Sequence, residues 1–162
     1  MRVTLIRHGE AGDDAPRDEL RSLTLRGRAA VARVARALRR RGGDFTLVIS
    51  SPFVRALQTA EIVAAGVGYD GRLLVDEALV PDGRVSRLVT LLASFSNDDS
   101  VALVAHEPIL STLAGQLLGQ DRFPALRKAE VLRLRLPDAP GAGHLAELRW
   151  RIDPGTGTRG TA

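Results

Sequence analysis

The sequence predicts an α/β domain in three layers, a mostly parallel sheet with helices on both faces. Short β-branched and aliphatic runs alternate along residues 1–119 with segments whose apolar residues recur at helical spacing. After residue 130 the apolar period changes to two, which predicts an antiparallel hairpin at one edge of the sheet. We expect one domain over residues 1–152, followed by a flexible Gly/Thr-rich tail over residues 153–162.

The composition is that of an ordinary globular domain. The chain has 162 residues, of which 44% are hydrophobic and 26% charged. It has no cysteine, which excludes disulfides and thiolate metal sites. No apolar run approaches the roughly 18 residues of a membrane span, and the apolar run at residues 1–6 is too short for a signal peptide. We therefore expect a cytoplasmic protein.

Arginine carries almost all of the positive charge, since Lys128 is the only lysine and the net charge is +4. The densest cluster lies at residues 33–41, near the end of a predicted helix. This pattern favours a solvated helix face, and a nucleic-acid patch is the alternative. Four phenylalanines, one tyrosine and one tryptophan leave little for stacking bases. We expect a monomer that binds neither nucleic acid nor membrane.

The first predicted strand, residues 3–6, stops at Arg7, His8 and Gly9. Core packing does not require two such side chains at the end of a buried strand, whereas ligands of open α/β sheets bind beyond the carboxyl ends of the strands. Arginine offers a fork of donors that matches phosphate oxygens. A neutral histidine offers a nitrogen that can attack phosphorus, and the glycine allows close backbone approach.

A polar loop over residues 11–23 precedes the first predicted helix. Thr24 is its expected N-cap, and Gly42 and Gly43 end it after about residue 41. The second strand covers residues 45–49 and stops at two serines. The apolar stripe of the helix consists of Gly27, Val31, Val34, Ala35 and Leu38.

The second helix is predicted to begin at Pro52, with Ser51 as its cap, and to end near residue 65. Arg55 lies in its first turn, where side chains lean back towards the N-terminus and backbone N–H groups are free. An anion beyond the strand would therefore be within its reach. The expected core face consists of Phe53, Leu57, Ala60 and Val63.

Two further strands are predicted at residues 73–75 and 101–105, followed by Glu77 and His106 respectively. A third helix and a fourth, which stops at Gly119, complete this part of the chain. Their inward residues are Val85, Leu88, Val89, Leu92 and Phe95, then Leu110, Leu113, Ala114 and Leu117.

The hairpin is predicted from two alternating runs, joined by a Gly/Pro-rich turn over residues 137–143. His144, beside this turn, is assigned no chemical role. The expected single buried face consists of Leu132, Leu134, Leu136, Leu148, Trp150 and Ile152.

Charged side chains follow all four predicted parallel strands. Because the carboxyl ends of such strands share one side of a sheet, these groups are expected to converge. The sequence thus predicts one rim that holds two arginines, two histidines and a carboxylate: Arg7, His8, Arg55, Glu77 and His106.

These residues, in this order and spacing, resemble the histidine phosphatase (phosphoglycerate mutase-like) superfamily, and most of all its short SixA-type phosphohistidine phosphatases. The resemblance spans roughly residues 1–115, and the hairpin is compatible with it. Its matching positions are Arg7, His8, Gly9, Glu10, Ala11, Asp18, Arg21, Leu23, Thr24, Gly27, Ser50, Ser51, Pro52, Arg55, Ala56, Gln58, Thr59, Ala60, Glu77, Ala78, Leu79, Pro81, Gly83, Val104, Ala105, His106, Glu107 and Pro108.

The resemblance implies a covalent mechanism. His8 would accept the phosphoryl group and release it to water, and Glu77 would protonate the leaving group. Arg21 is either a further phosphate contact or a loop-ordering partner of Asp18, and Glu10 orders its loop. The equatorial oxygens would be held by Arg7, Arg55 and His106.

No cofactor or metal is expected, since three histidines without ligand spacing do not make a metal site. Only fifty residues separate Arg55 from His106, too few for the long lid insertions of the mutase branch. An open pocket suits a phosphohistidine side chain on another protein. A broad small-molecule phosphomonoesterase acting on phosphate esters ranks second, and a phosphate-binding module with little turnover ranks third.

Overall fold

The computed structural model describes residues 1–137, 145–155 and 159–160. In these ranges the chain forms seven strands, four α-helices and two 3-10 helices. The strands are β1 (Arg2–Arg7), β2 (Leu47–Ser50), β3 (Leu73–Val75), β4 (Ser100–Ala105), β5 (Val131–Arg135), β6 (Glu147–Ile152) and β7 (Arg159–Gly160). The α-helices are α1 (Leu25–Arg40), α2 (Val54–Val67), α3 (Val85–Ala93) and α4 (Ile109–Leu118), and the 3-10 helices are Asp18–Leu20 and Glu77–Leu79.

All strands form one sheet in the order β3-β2-β4-β1-β5-β6-β7. The first four of these strands pair in parallel. β5 is antiparallel to β1, and β6 and β7 continue the antiparallel part. The predicted α/β class, with a parallel sheet and an antiparallel hairpin on one side, is confirmed.

The core lies on both faces of this sheet, because successive residues of a strand point to opposite sides. On one face Val3 and Leu5 of β1 pack with apolar residues of α3 and α4. On the other face Ile6 packs with residues of α1 and α2. A strand buried on both faces needs a continuous apolar run, which explains why β1 and β4 do not alternate. The three predicted layers are confirmed.

The first helix begins where the sequence predicts. The hydroxyl of Thr24 accepts a hydrogen bond from the backbone N–H of Gly27 at 2.9 Å. A Cβ added to Gly27 would lie 2.1 Å from the carbonyl oxygen of Glu10, so α1 packs directly on the loop that follows β1. This close approach requires glycine and fixes the distance between α1 and the residues after His8.

The start of the second helix differs from the prediction. α2 begins at Val54 with Phe53 as its N-cap, not at Pro52. The buried stripe is therefore rotated relative to the predicted one: Ala60 and Val63 are in the core as expected, while Phe53 and Leu57 are only half-buried. The rotation instead buries the polar side chains of Arg55 and Thr59, together with Ala56 and Ala64.

The hairpin also departs from the predicted single buried face. The register between β5 and β6 shifts, so that Arg133 faces Trp150 and Leu134 faces Leu148, with Arg149 as the extra residue. Leu148 consequently packs on the side of α3 and α4, and Trp150 and Ile152 pack on the side of α1 and α2.

The predicted turn lies largely outside the described residues, since residues 138–144, which include His144, are not among them. In the C-terminal segment, β7 pairs with β6, and the flexible tail over residues 153–162 stays a prediction. Within the described part of the chain, no helix is both long and apolar enough to cross a membrane.

Candidate active site

Four of the predicted side chains meet at the carboxyl ends of the central strands. Arg7 and His8 end β1, His106 follows β4, and Arg55 reaches the same place from the first turn of α2. They line a cavity of about 290 Å³. The cavity is completed by Ala11, Asp18, Arg21, Pro81, Glu107 and Lys128.

The ring of His8 is held in one orientation and one tautomer. Its Nδ1 lies 2.7 Å from the carbonyl oxygen of Gly9. A carbonyl only accepts, so we assign the ring proton to Nδ1, which leaves a lone pair on Nε2. Nε of Arg55 donates to that lone pair at 3.3 Å, which agrees with this tautomer. The nitrogen that faces the arginine is therefore the one that carries the lone pair.

His8 is neutral at physiological pH. Burial lowers its pKa from 6.5 to about 4, because the imidazolium loses hydration. The bond to Gly9 opposes this shift, while the charges of Arg55, Arg7 and Lys128 lower the pKa further. A neutral ring keeps its lone pair, which nucleophilic attack requires.

Arg55 uses all three nitrogens of its guanidinium. Besides the bond to His8, Nη1 donates to the backbone oxygen of Asp18 at 2.7 Å and Nη2 to its carboxylate at 2.9 Å. The ring of Phe53 lies beneath, 5.0 Å from Cζ. The hydrogen bond from Arg55 lowers the pKa of the Asp18 carboxyl, so this carboxylate stays charged. The arginine is thereby fixed before any ligand binds.

His106 is oriented by Ser51. Its Nε2 lies 2.8 Å from the Ser51 hydroxyl, which accepts the backbone N–H of Phe53 at 3.4 Å. Either ring tautomer can form this bond, and the proposed mechanism uses the one in which the hydroxyl donates to Nε2 and the ring proton of His106 lies on Nδ1. Within the described residues, Nδ1 is buried and has no hydrogen-bond partner. A phosphoryl oxygen would supply the missing acceptor.

The two histidine rings are neighbours, with centroids 4.9 Å apart. The pKa of His106 is lowered to about 3, chiefly by burial and to a smaller extent by His8 in its protonated form and by the charge of Arg55. The positive charge of the site therefore comes from its arginines and lysine, while both imidazoles are neutral.

Arg7 joins the site to the turn over residues 126–130. Its Nη1 donates to the carbonyl of Leu126 at 2.5 Å, and its backbone N–H donates to the backbone carbonyl of Glu130 at 3.1 Å. Its Nε is buried and has no partner among the described residues. The turn also donates the N–H of Ala129 to the carbonyl of His8 at 3.0 Å. One wall of the cavity is thus bonded directly to the end of β1 and to His8.

This turn presents Lys128 at the rim. The next residue, Ala129, has a φ of 63°, a left-handed conformation that is unusual for alanine. The exposed Lys128 side chain lines the cavity and lowers the pKa of His8 by its charge. Hydrogen bonds hold the strained turn in place, so the backbone position of Lys128 is built into the fold.

The cavity lining holds a second carboxylate besides that of Asp18, and it too is engaged in hydrogen bonds. Glu107 accepts the N–H of Leu126 at 3.0 Å with one oxygen and the hydroxyl of Ser111 at 2.5 Å with the other. It therefore ties the end of β4 to the 126–130 turn.

Glu77 does not join the other four predicted residues. It is exposed at the start of the second 3-10 helix and is not among the residues that line the cavity. Its role as a proton donor stays a prediction. Arg21 lines the cavity and also bonds to the carboxylates of Asp18 and Asp13, so its geometry is compatible with both predicted roles. Glu10 accepts the Thr24 hydroxyl at 2.9 Å, an interaction that orders the loop.

Three residues that contribute to the site are not among the predicted site residues: Ser51, Phe53 and Lys128. The sequence predicts Ser51 as a helix cap and Phe53 as a core residue, because no local pattern indicates that α2 begins only at Val54. The signal available for Lys128 was that it is the only lysine of the chain. Across residues 1–137, 145–155 and 159–160, no group of three His, Asp or Glu side chains could hold a metal ion.

Known proteins are similar to this chain in sequence and in fold. The profile of the histidine phosphatase superfamily (branch 1) matches residues 3–80. Phosphohistidine phosphatase SixA of Escherichia coli K12 is 29% identical over 156 residues, which cover 95% of this chain and 94% of SixA. An uncharacterized protein of Picosynechococcus is 33% identical over 142 residues, covering 83% of this chain and 85% of that protein.

The structural similarity extends through the hairpin. A structure of the protein histidine phosphatase SixA complexed with tungstate matches with a TM-score of 0.88 and 27% identity, and the match covers 96% of this chain and 98% of that one. The similarity thus covers the residues at the strand ends and the fold that brings them together. The chain belongs to the histidine phosphatase superfamily.

Proposed function

We propose that this phosphatase removes phosphate from phosphohistidine on a protein, through a covalent intermediate on His8. The tautomer of His8 carries the proposal. A neutral ring whose proton is held by Gly9 presents its bare Nε2 to a cavity lined by two arginines and a second histidine. This geometry provides a nucleophile and positive charge around one phosphoryl group.

The reaction proceeds in two displacements. Nε2 of His8 forms a bond to phosphorus as the bond from phosphorus to the substrate imidazole breaks, and that imidazole leaves with a proton from water. A water molecule then attacks phosphorus, gives up its proton to solvent, and breaks the bond to Nε2. Inorganic phosphate departs and His8 returns to its neutral form.

We propose that three groups hold the phosphoryl oxygens. Nε of Arg7 and Nδ1 of His106 are buried donors without partners among the described residues. Arg55 would exchange its bond to His8 for a bond to oxygen when the lone pair is needed for attack. These donors supply charge stabilisation where charge develops in the transition state. We therefore propose hydrolysis without a metal ion.

The cavity favours phosphohistidine over an alkyl phosphate. Glu77 lies outside it, and both oxygens of Glu107 are occupied by structural bonds. An alkoxide leaving group needs a proton in the transition state, whereas imidazole leaves readily with a proton from water. The similarity to SixA, whose name states phosphohistidine phosphatase activity, supports the same substrate class, and its tungstate complex supports an oxyanion site.

The test is to trap the phosphoenzyme. Wild-type protein incubated with a ³²P-phosphohistidine protein and quenched in base should carry an acid-labile label, and His8→Ala should carry none. His106→Ala is the matched control, because it keeps the nucleophile and should retain slowly formed label. Label on His8→Ala contradicts the assignment. Binding without label or phosphate release in wild type would favour a binding module, and faster turnover of an alkyl phosphate would favour a phosphomonoesterase.

A further inference from the structure

A second cavity, of about 660 Å³, lies at the opposite end of the sheet from His8. Arg2 begins β1 and pairs with the first residue of β4 and the last residue of β5. Five strand steps separate it from Arg7, a distance of roughly 17 Å. The cavity is therefore separate from the candidate active site. Its charged lining is mainly guanidinium: Arg2, Arg41, Arg133, Arg135 and Arg149, with Asp98 as the carboxylate.

Arg133 is the unusual member of this lining, because it is a buried cation. It is only 4% exposed and sits between the rings of Phe45 and Trp150, with Cζ 5.7 Å and 5.3 Å from their centroids. Its Nη1 donates to the hydroxyl of Ser100 at 3.3 Å. Nε and Nη2 have no hydrogen-bond partner, and no carboxylate pairs with the side chain, in the part of the chain that the structure describes.

A buried charge without a counterion is costly, and the two rings compensate only in part. Burial and the charge of Arg2 lower the pKa of Arg133 to about 10, and Asp44 opposes the shift. Asp44 is itself bonded to Arg2 at 3.4 Å. An aliphatic side chain would fill the space between the two rings at no electrostatic cost. The five guanidinium groups of the lining are accompanied by three carboxylates, those of Asp98, Asp44 and Glu147, so an excess of positive charge remains at this cavity.

We propose that this cavity binds a small polyanion with a chain of phosphate groups, of the triphosphate kind. Its volume is more than twice the 290 Å³ of the active-site cavity, so a chain of several phosphate groups has room in it. The guanidinium groups come from β1, β5, β6 and the C-terminal end of α1, so they surround the space from several sides. Arginine forks match phosphate oxygens, and consecutive phosphates can engage several of them at once.

The polyanion could be inorganic or the phosphate chain of a nucleotide, and Trp150 distinguishes the two. Its ring lines the cavity beside Arg133, where a base could stack on it. A nucleotide should therefore bind more tightly than inorganic tripolyphosphate if its base contributes. Equal affinities would assign the site to the phosphate chain alone.

Fluorescence tests the proposal, because Trp150 is the only tryptophan of the chain. Inorganic tripolyphosphate, titrated into the full-length protein at constant ionic strength, should change the emission saturably. Arg133→Met keeps an unbranched side chain between the two rings but removes the buried charge beside the cavity, and it should weaken binding about tenfold through the loss of that charge. Arg135 lies at the exposed rim, and Arg135→Gln should weaken the binding of tripolyphosphate about threefold. This variant takes the place of Arg133→Met in the test if Arg133→Met fails to fold.

Arg55→Lys is the control for the other site and should leave this affinity unchanged. Three results would overturn the proposal: no saturable change in emission, unchanged affinity in both folded Arg133→Met and Arg135→Gln, or loss of binding in Arg55→Lys. The titration is repeated with ATP to compare the two sources of the phosphate chain.

Discussion

Nε of Arg55 lies 3.3 Å from Nε2 of His8 and donates to the lone pair that attacks phosphorus in the proposed mechanism. The arginine thus holds His8 in the tautomer that this mechanism requires, and an incoming phosphoryl oxygen would take over this N–H before attack. Its other two nitrogens are bonded to Asp18, which holds the guanidinium in place. In the proposed mechanism, one side chain both orients the nucleophile and receives the charge of the transition state.

Arg55→Lys should lower kcat/KM by about 10²–10³-fold, the loss typical for removing one donor to a developing charge. A lysine offers a point charge and cannot bond to His8 and Asp18 together. Steady-state kinetics on a phosphohistidine protein measure the effect. Arg21→Lys is the matched control, since Arg21 bonds to the same carboxylate from an exposed loop and should cost less than tenfold. Equal losses in both variants would contradict the specific role of Arg55.

The pH dependence of kcat/KM should reflect the lowered pKa of His8. Because the ring is neutral down to about pH 4, its protonation should not limit activity between pH 5 and 8. NMR titration of the His8 ring measures the pKa directly. A midpoint near the ordinary 6.5 would contradict the effect of burial.

The free energy of unfolding should also depend on pH, through the same two histidines. The folded pKa values of His8 and His106 lie below 6.5, so the unfolded chain binds protons that the folded chain excludes. This contribution to the free energy of unfolding is fully present above pH 6.5. The part from His8 is lost as the pH falls from 6.5 to about 4, and the part from His106 as it falls to about 3. His8→Gln should lose less stability than wild type between pH 7 and pH 4.5 in urea denaturation.

Ser51→Ala should lower kcat/KM about tenfold, the cost of one neutral hydrogen bond. Without the hydroxyl at 2.8 Å, Nε2 of His106 can take the ring proton, and Nδ1 then stops being a donor. Ser51→Thr keeps the hydroxyl and should restore most of the activity. The ¹⁵N chemical shifts of His106 report the tautomer, and an unchanged tautomer in Ser51→Ala would show that Ser51 does not set it.

Lys128→Gln should lower kcat/KM about three- to fivefold at low salt, an effect that should fade at high ionic strength because the amine is exposed. Its charge lies at the rim, where it attracts an anionic substrate and disfavours protonated His8. Arg127→Gln is the matched control, because the neighbouring cation is paired with Asp153 and does not line the cavity. Identical salt dependence in the two variants would contradict the assignment.

Glu77→Gln should change kcat/KM for phosphohistidine less than threefold, because this exposed carboxylate lies outside the cavity lining and imidazole needs little help to leave. On an alkyl phosphate, kcat/KM of Glu77→Gln should fall by about 10²-fold or more if Glu77 protonates the leaving alkoxide. A large loss on phosphohistidine would make Glu77 a general acid of the main reaction.

The sequence by itself determined the order of elements and the edge at which the chemistry gathers. A continuous apolar run such as residues 101–105 can only be buried on both faces, and parallel strands share one carboxyl edge. Arg7, His8, Arg55 and His106 were therefore predictable from their places after strands and in the first turn of a helix.

Only the tertiary structure decided how those groups are held. The tautomers of both histidines depend on contacts with Gly9, Ser51 and Arg55, which lie in separate elements. The exclusion of Glu77 from the cavity and the inclusion of Lys128 depend on loops whose paths no local pattern specifies. The bulge that places Trp150 beside Arg133 is likewise a matter of register between two strands. Local propensity fixes elements, whereas distances between elements come from packing that the whole chain determines.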